Sequence, residues 1–303
     1  MEYVFKTDGL NKTYGSFQAL NNLKMAVPKG SIYGFVGKNG AGKTTLMRIL
    51  CGLQMPTTGD FELYGVKGRS SKIHEARRRI GSVVETPALY TDMTAEDNLK
   101  LQCQILGLPD YKSIPELLSL VGLENTGKKK VKNFSLGMRQ RLGIAVALCG
   151  EPDLLVLDEP INGLDPQGIV EIRELIMKLN AERKITVIIS SHILDELAKL
   201  ATYYGFIDKG HIVKEMSADE LEGAFRKSIR IRVDHMEGLT KTLESRGLEY
   251  KVISETECDI YAMPMITDLA LALLEEKCNI ISVTEKDESL EGFYLSLVGG
   301  GES

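Results

Sequence analysis

Long apolar runs, paired cysteines and a strong excess of one charge are all missing from this sequence. No apolar stretch is long enough to cross a bilayer, and the opening MEYVFKTDGL has no apolar core of a signal peptide. We therefore expect a cytoplasmic chain that reaches a membrane only through a partner. The five cysteines show no C-x-x-C spacing, which disfavours a zinc site or a disulfide framework and indicates a reduced intracellular protein.

The charge balance argues against a general nucleic-acid binder. There are 42 acidic and 37 basic side chains, a formal net charge of -5, and the longest basic run, Lys128–Lys130 with Lys132 just after it, is interpreted as a solvated loop. The 303 residues, 43% of them hydrophobic, suffice for a sizeable core. They also exceed what one core usually organises, so we expect two or three domains.

The most informative segment is SIYGFVGKNGAGKTTLMRIL, residues 31–50. The apolar run Ile32–Val36 favours a buried strand, and a helix follows the glycine-rich turn. Between them, Gly37–Thr44 spells G-x-x-x-x-G-K-T in the strand–loop–helix context that a phosphate-binding P-loop requires. The glycines let backbone amides close around phosphate oxygens, Lys43 reaches the β- and γ-phosphates, and the Thr44 hydroxyl binds Mg²⁺. The residues expected to hold the nucleotide here are Gly37, Lys38, Asn39, Gly40, Ala41, Gly42, Lys43, Thr44 and Thr45.

Two later strands end in polar residues. The apolar run in DLLVLDEP, residues 153–160, ends at Asp158 and Glu159, and carboxylates at such a strand end lie where open α/β sheets bind ligands. Asp158 suits Mg²⁺ through water, and Glu159 suits a general base acting on the attacking water. The β-branched run in ITVIISSHILDEL ends beside His192, which we interpret as a contact to the γ-phosphate.

A second helix start also has the features of an anion site. In NFSLGMRQRLG, residues 133–143, Ser135 is a good N-cap, and the exposed amides of a helix start attract anions. The P-loop already supplies a better phosphate site, so this second helix start needs a separate explanation.

Taken together, these segments resemble the nucleotide-binding subunit of an ABC transporter over roughly residues 1–220. By this resemblance Gly37–Thr44 corresponds to the Walker A loop, and Asp158 ends Walker B. Tyr14 falls where the family stacks an aromatic ring on adenine, a contact with little base selectivity. The resemblance further implies the catalytic glutamate, the switch histidine and the D-loop, which correspond to Glu159, His192 and Asn162-Gly163-Leu164-Asp165. ATP and Mg²⁺ are the implied cofactors, with Glu159, His192 and Lys43 as the catalytic side chains.

The second helix start resembles the ABC signature motif, usually L-S-G-G-Q. Ser135 and Gly137 are kept, whereas Leu136 and Met138 replace the first glycine and the glutamine. In this family the signature closes over the γ-phosphate held by the opposite subunit of a head-to-tail dimer. The resemblance therefore implies a second copy or a related ATPase subunit as partner, with Ser135, Gly137 and Met138 contacting that partner's nucleotide.

Glu85, in RIGSVVETPALY, stands where the family places a glutamine that touches Mg²⁺ and relays contact with the permease. A carboxylate is the stronger metal ligand but adds negative charge, so slower hydrolysis and tighter metal binding both remain open. With the altered signature, Glu85 resembles the bacitracin-resistance and lantibiotic-immunity subgroup. Pro87–Tyr90 would line the groove that receives the permease's coupling helix, or would pack as an ordinary loop on its own domain.

The expected fold is an α/β P-loop NTPase of the ABC type, with an antiparallel β subdomain and a helical subdomain at about residues 93–150. We expect this ATPase domain to span residues 1–222. From 223 to 303 the order β-α-β-β-α-β suggests a ferredoxin-like α+β module. A regulatory or dimer-stabilising role for that module is a hypothesis that rests on its position alone.

The sequence thus predicts an ATP-hydrolysing subunit that powers a separate integral membrane permease from the inner face of the cell membrane. Peptide-antibiotic export or resistance is implied by the subgroup, and no nucleic-acid partner is expected. A soluble ABC ATPase serving DNA repair, ribosomes or iron–sulfur assembly is one alternative, although the long coiled coil or second ATPase domain of such proteins is missing. An ATP-binding regulator with little turnover is the other alternative, supported only by Glu85 and the altered signature.

Overall fold

The computed structural model describes residues 2–108, 110–224, 228–261, 265–286 and 289–299. The chain up to Asp219 forms one compact unit, and Glu220–Ser296 forms a second. Residues 225–227, 262–264, 287–288 and 300–303 of the predicted C-terminal domain lie outside the described part. The strands are β1 (Tyr3–Tyr14), β2 (Phe17–Pro28), β3 (Ile32–Val36), β4 (Thr58–Leu63), β5 (Val66–Lys67), β6 (Ile80–Val83), β7 (Leu154–Asp158), β8 (Thr186–Ser190), β9 (Tyr203–Asp208), β10 (His211–Ser217), β11 (Ser228–Val233), β12 (Tyr250–Val252), β13 (Glu257–Ile260) and β14 (Ile280–Lys286). The α-helices are α1 (Lys43–Leu50), α2 (Ile73–Arg77), α3 (Ala95–Leu106), α4 (Ile114–Leu120), α5 (Leu136–Leu148), α6 (Pro166–Arg183), α7 (Leu194–Ala198), α8 (Ala218–Ala224), α9 (Met236–Ser245), α10 (Ile266–Glu275) and α11 (Leu290–Gly299).

The central sheet of the first unit runs in the order β10-β9-β3-β8-β7-β6. Its strands pair in parallel except β10, which returns antiparallel to β9 through a turn at Asp208–Gly210. Strands β3, β7 and β8 are buried along their whole length, which explains their unbroken apolar sequences, since both faces of a parallel sheet are covered. The carboxyl ends of these strands therefore meet at one edge, where ligands bind in open α/β sheets.

An antiparallel sheet of order β2-β1-β4-β5 accompanies the parallel sheet. A partly buried polar contact connects the two sheets: the Tyr33 hydroxyl of β3 donates to Glu215 Oε1 of β10 at 2.6 Å, and the Ala26 amide of β2 donates to the same oxygen at 3.0 Å. Burial raises the pKa of Glu215 above its ordinary value, against the lowering effect of these two hydrogen bonds.

Helices α3, α4 and α5 lie within the stretch predicted to be helical. Helix α3 begins with a capping box, in which Thr94 Oγ1 accepts from the Asp97 amide at 3.1 Å and the Asp97 carboxylate accepts from the Thr94 amide at 3.4 Å. Helix α5 packs closely on the loop that follows β6, because a Cβ at Gly143 would lie 2.5 Å from Pro87.

The second unit has the predicted element order, strand, helix, two strands, helix and strand, in β11 to β14 with α9 and α10. Its sheet is antiparallel with the order β12-β13-β11-β14. Apolar residues from β11, β13, α9 and α10, among them Ile231, Leu243 and Leu273, form its core. The name ferredoxin-like for this unit stays a prediction. Within the described residues, no helix is long and apolar enough to cross a membrane.

Candidate active site

The loop between β3 and α1 encloses the Lys43 ammonium. Lys43 Nζ donates to the backbone oxygens of Gly37, at 2.6 Å, and Lys38, at 3.2 Å. Gly42 has φ 111 and a Cβ there would meet the Ala19 oxygen at 2.6 Å, so this position requires glycine. Burial lowers the pKa of Lys43, while nearby carboxylates act to raise it. The loop is therefore folded around the cation that the sequence assigned to phosphate binding.

The remaining P-loop residues form the entry to α1. The Ala41 amide donates to the Lys38 oxygen at 3.1 Å, which turns the chain, and the helix then begins at Lys43. Thr44 and Thr45 occupy the first turn of α1, where backbone amides have no intrahelical acceptor. These amides are the donors that an anionic ligand would use.

Two carboxylates lie at the carboxyl end of β7. Asp158 is 2% exposed, and the Ser190 hydroxyl of the neighbouring β8 donates to its Oδ1 at 2.7 Å. The same hydroxyl accepts from the Glu159 amide at 3.0 Å. Glu159 adopts φ 51, a left-handed conformation that costs a non-glycine residue about 1–3 kcal/mol and that is concentrated at functional sites. Ser190, which was not among the predicted site residues, thus contacts both the Asp158 carboxylate and the Glu159 backbone.

His192 directly contacts Glu159. Its backbone amide donates to Glu159 Oε2 at 3.2 Å, and its ring Nδ1 lies 2.6 Å from the same oxygen. When Nδ1 carries the proton, the ring donates a second hydrogen bond to this oxygen. The sequence predicted the two side chains separately, and the structure brings them together.

Glu85 has a partner that the sequence analysis missed. It follows β6 with φ 66, and its carboxylate forms an ion pair with the Arg48 guanidinium of α1. Arg48 lies four residues after Thr44, so the two share one face of the helix. That spacing is the sequence signal by which Arg48 could have been found.

Tyr14 and its neighbours form an exposed surface at the end of β1. The ring is 39% exposed, and its hydroxyl donates to the Gln54 side-chain oxygen. The Lys12 ammonium lies 5.1 Å from the ring centroid and donates to the Met55 oxygen at 2.9 Å. The ring is therefore held in place with part of its surface accessible for stacking.

The signature segment opens α5 as predicted. Ser135 is the N-cap, and its hydroxyl accepts from the Met138 amide at 3.2 Å. Leu136 is 46% exposed, and its Cδ2 lies 3.3 Å from where a Cβ would stand on Gly163. A Cβ on Gly137 would similarly lie 3.8 Å from Leu164. The signature and the D-loop of one chain are thus neighbours.

A groove of about 330 Å³ lies between the loop after β6, helix α5 and part of α3. Pro87, Ala88 and Leu89 line it, together with Gln102 and Val146. The loop therefore both packs on its own domain and borders an open depression, so the two interpretations of Pro87–Tyr90 are compatible.

Comparison with known proteins identifies the chain. A family model described as ABC transporter matches residues 20–162. Over 304 aligned residues, 99% of each chain, the protein is 41% identical to the bacitracin transport ATP-binding protein BcrA of Bacillus licheniformis. The chain belongs to the ABC transporter ATP-binding family.

Other members agree with this assignment. The lantibiotic transport ATP-binding protein SrtF of Streptococcus pyogenes is 45% identical over 229 residues, 75% of this chain and 97% of SrtF. The dimeric ATP-binding cassette MJ0796, solved in a post-hydrolysis state with ADP and Pi, has a TM-score of 0.64 at 26% identity, over 71% of this chain and 98% of MJ0796.

Family membership confirms several predictions made from the sequence. The ABC-type P-loop NTPase fold, ATP binding and ATP hydrolysis are confirmed, as is the resemblance to the bacitracin and lantibiotic subgroup. The roles of the individual site residues stay predictions.

Proposed function

We propose that this ABC ATPase hydrolyses MgATP at sites shared between two subunits and thereby drives a separate membrane permease. The observation that carries the proposal is the Glu159–His192 pair beside the buried Asp158. Since β3 and β8 are parallel neighbours, the P-loop and His192 leave the sheet at the same edge. A phosphate cradle, a metal ligand and a base at one edge are the parts that phosphoryl transfer to water needs.

The chemistry assigns a role to each of these residues. The amides that open α1 and the Lys43 ammonium bind the β- and γ-phosphates and offset the charge that develops as the terminal phosphoryl group leaves. Glu159 accepts a proton from the attacking water, and His192 holds one oxygen of that carboxylate while it contacts the γ-phosphate. Tyr14 stacks on the adenine.

The donor set fits Mg²⁺. The Thr44 hydroxyl and the Asp158 carboxylate are hard oxygen donors, and Mg²⁺ keeps several waters while taking one or two carboxylates and substrate phosphates. Among the described residues, no cluster of three or more His, Cys, Asp or Glu offers a cage for another metal. Bound Mg²⁺ would neutralise charge on the phosphates; Glu85, the third ligand expected from the sequence, is paired with Arg48 in this structure.

Ser135, Gly137 and Met138 act on the nucleotide of the second subunit. The Ser135 hydroxyl already accepts a hydrogen bond from its own helix, so its proton can be donated to a phosphate oxygen of the partner's ATP. The dimeric MJ0796 cassette supports a two-subunit assembly for this chain.

We further propose that the cargo is a peptide antibiotic. The ATPase lies at the inner face of the cell membrane and powers a permease that exports the antibiotic or confers resistance to it. The support is the full-length similarity to a bacitracin transport protein and the similarity to a lantibiotic transport protein. The groove beside Pro87–Leu89 is the proposed docking site for a cytoplasmic segment of that permease.

Substitution of the proposed base tests this function. Glu159→Gln should bind ATP normally and hydrolyse it ~10³-fold more slowly, since the amide cannot accept the proton. Glu151→Gln is the matched control, because Glu151 also has a positive φ, of 48, but lies outside the site. Near-normal phosphate release by Glu159→Gln, measured with the co-purified permease, would contradict the assignment.

A further inference from the structure

The ion pair between Glu85 and Arg48 lies at the nucleotide edge of the sheet. Strand β6 is paired in parallel with β7, and Val83 stands opposite Leu157, one residue before Asp158. Glu85 comes two residues after Val83, so it leaves the sheet beside the carboxylates. Arg48 reaches it from α1, the helix whose first turn carries the proposed phosphate and metal contacts.

The charges at this edge make a free carboxylate at position 85 unfavourable. Asp158 and Glu159 are already there, Lys43 is the cation that faces both, and the triphosphate adds further negative charge. An unpaired Glu85 would repel the phosphates or would join the metal as an additional ligand.

We propose that Arg48 is a positioning residue that holds the Glu85 carboxylate off the metal, so that the pair takes the place of a neutral side chain beside MgATP. The guanidinium is permanently charged and has several N–H donors, so Arg48 is suited to hold a carboxylate in a directed ion pair. Glu85 also adopts a left-handed φ of 66, a strained conformation that its surroundings must maintain. The inference rests on the proposed Mg²⁺ site, and the two can be tested separately.

The test is a double-mutant cycle in which Mn²⁺ is titrated into the full-length, ADP-loaded protein and free Mn²⁺ is followed by electron paramagnetic resonance. Glu85→Gln alone should change the Mn²⁺ affinity by less than about twofold, because the carboxylate is not a ligand while Arg48 holds it. Arg48→Gln should tighten Mn²⁺ by about tenfold, because the released carboxylate then adds to the ligand set. In the Glu85→Gln background, Arg48→Gln should tighten Mn²⁺ binding by about threefold or less, because there it only removes one cation.

A second ion pair supplies the matched control. Arg79 Nε lies 2.5 Å from Asp153 Oδ2, and both side chains are about half exposed. Arg79→Gln therefore removes a comparable pair away from the nucleotide edge and should leave Mn²⁺ affinity unchanged. Arg48→Lys keeps the positive charge, so its Mn²⁺ affinity should be close to that of the wild type. This variant provides a second measurement if Arg48→Gln folds poorly.

Two results would overturn the inference. If Arg48→Gln tightened Mn²⁺ binding equally in the wild-type and Glu85→Gln backgrounds, the effect would come from the lost positive charge and not from a released Glu85 carboxylate. A tenfold weakening by Glu85→Gln alone would show that Glu85 binds the metal despite Arg48. Asp158→Asn tests the metal site itself: an unchanged Mn²⁺ affinity in that variant would refute the proposed site, independently of the Arg48 comparison.

Discussion

Replacing Ser190 with alanine removes the hydroxyl that contacts the Asp158 carboxylate and the Glu159 backbone amide. Ser190 is fully buried, donates to Asp158 at 2.7 Å and accepts from the Glu159 amide at 3.0 Å. The substitution removes one oxygen atom, so it leaves little cavity. Its cost should therefore come from the two lost hydrogen bonds.

The magnitude follows from the charge and burial of the groups involved. A hydrogen bond to a charged group contributes about 1.5–3 kcal/mol, and a partly buried amide left without an acceptor adds a further penalty, so we expect Ser190→Ala to lower the free energy of unfolding by about 2–4 kcal/mol. Turnover should also fall, because the Glu159 amide loses the contact that helps to hold its left-handed backbone.

Urea denaturation of the full-length protein measures the first effect, and steady-state phosphate release measures the second. Ser191→Ala is the control, since Ser191 is equally buried but, among the residues that the structure describes, its hydroxyl hydrogen-bonds only with the backbone of Ile193, at 3.0 and 3.4 Å. We expect this control to lose about 1 kcal/mol. A loss below about 0.5 kcal/mol in Ser190→Ala would refute the reasoning, given the burial of both Ser190 and Asp158.

Three further predictions concern other parts of the first unit. Gly42→Ala should abolish binding of a fluorescent ATP analogue, because the added Cβ meets the Ala19 oxygen and the φ of 111 excludes other residues; retained affinity would contradict the role of this glycine. Burial raises the folded-state pKa of Glu215, so this group's stability contribution is complete below its ordinary pKa of 4.5 and is lost as pH rises through the raised value. Glu215→Gln, which can still accept from Tyr33, should therefore gain stability relative to wild type as pH rises from 4.5 to 8 in urea titrations, and a constant difference would refute this. Leu136→Gly should leave ATP binding by the isolated subunit unchanged and alter turnover of the dimer; altered monomer affinity would contradict the contact with the partner's nucleotide.

The local parts of the site were predictable from the sequence. The P-loop, the apolar strand that ends at Asp158, and the N-cap at Ser135 each depend on neighbours within a few residues. Glycine, the capping residue and the run of apolar side chains act through backbone geometry and short-range hydrogen bonds, which a sequence motif records directly.

The contacts between these parts were not predictable in the same way. Ser190 reaches Asp158 across 32 positions, and Arg48 reaches Glu85 across 37. Glu85 was predicted as a metal ligand, and nothing near it in the sequence indicates its ion-pair partner. Only the folded chain shows that the Arg48 guanidinium of α1 forms an ion pair with the Glu85 carboxylate.

The sequence by itself determined the kind of element at each segment and the family, because strand, loop and helix signals are local and the motifs occur in a family-specific order. The tertiary structure decided which elements are neighbours. Parallel strands must be joined by crossover connections, so β3, β7 and β8 come from distant segments and yet share one edge. At that edge, hydrogen bonds and ion pairs form between whichever side chains the strand order brings within about 3 Å, and linear spacing does not record this proximity.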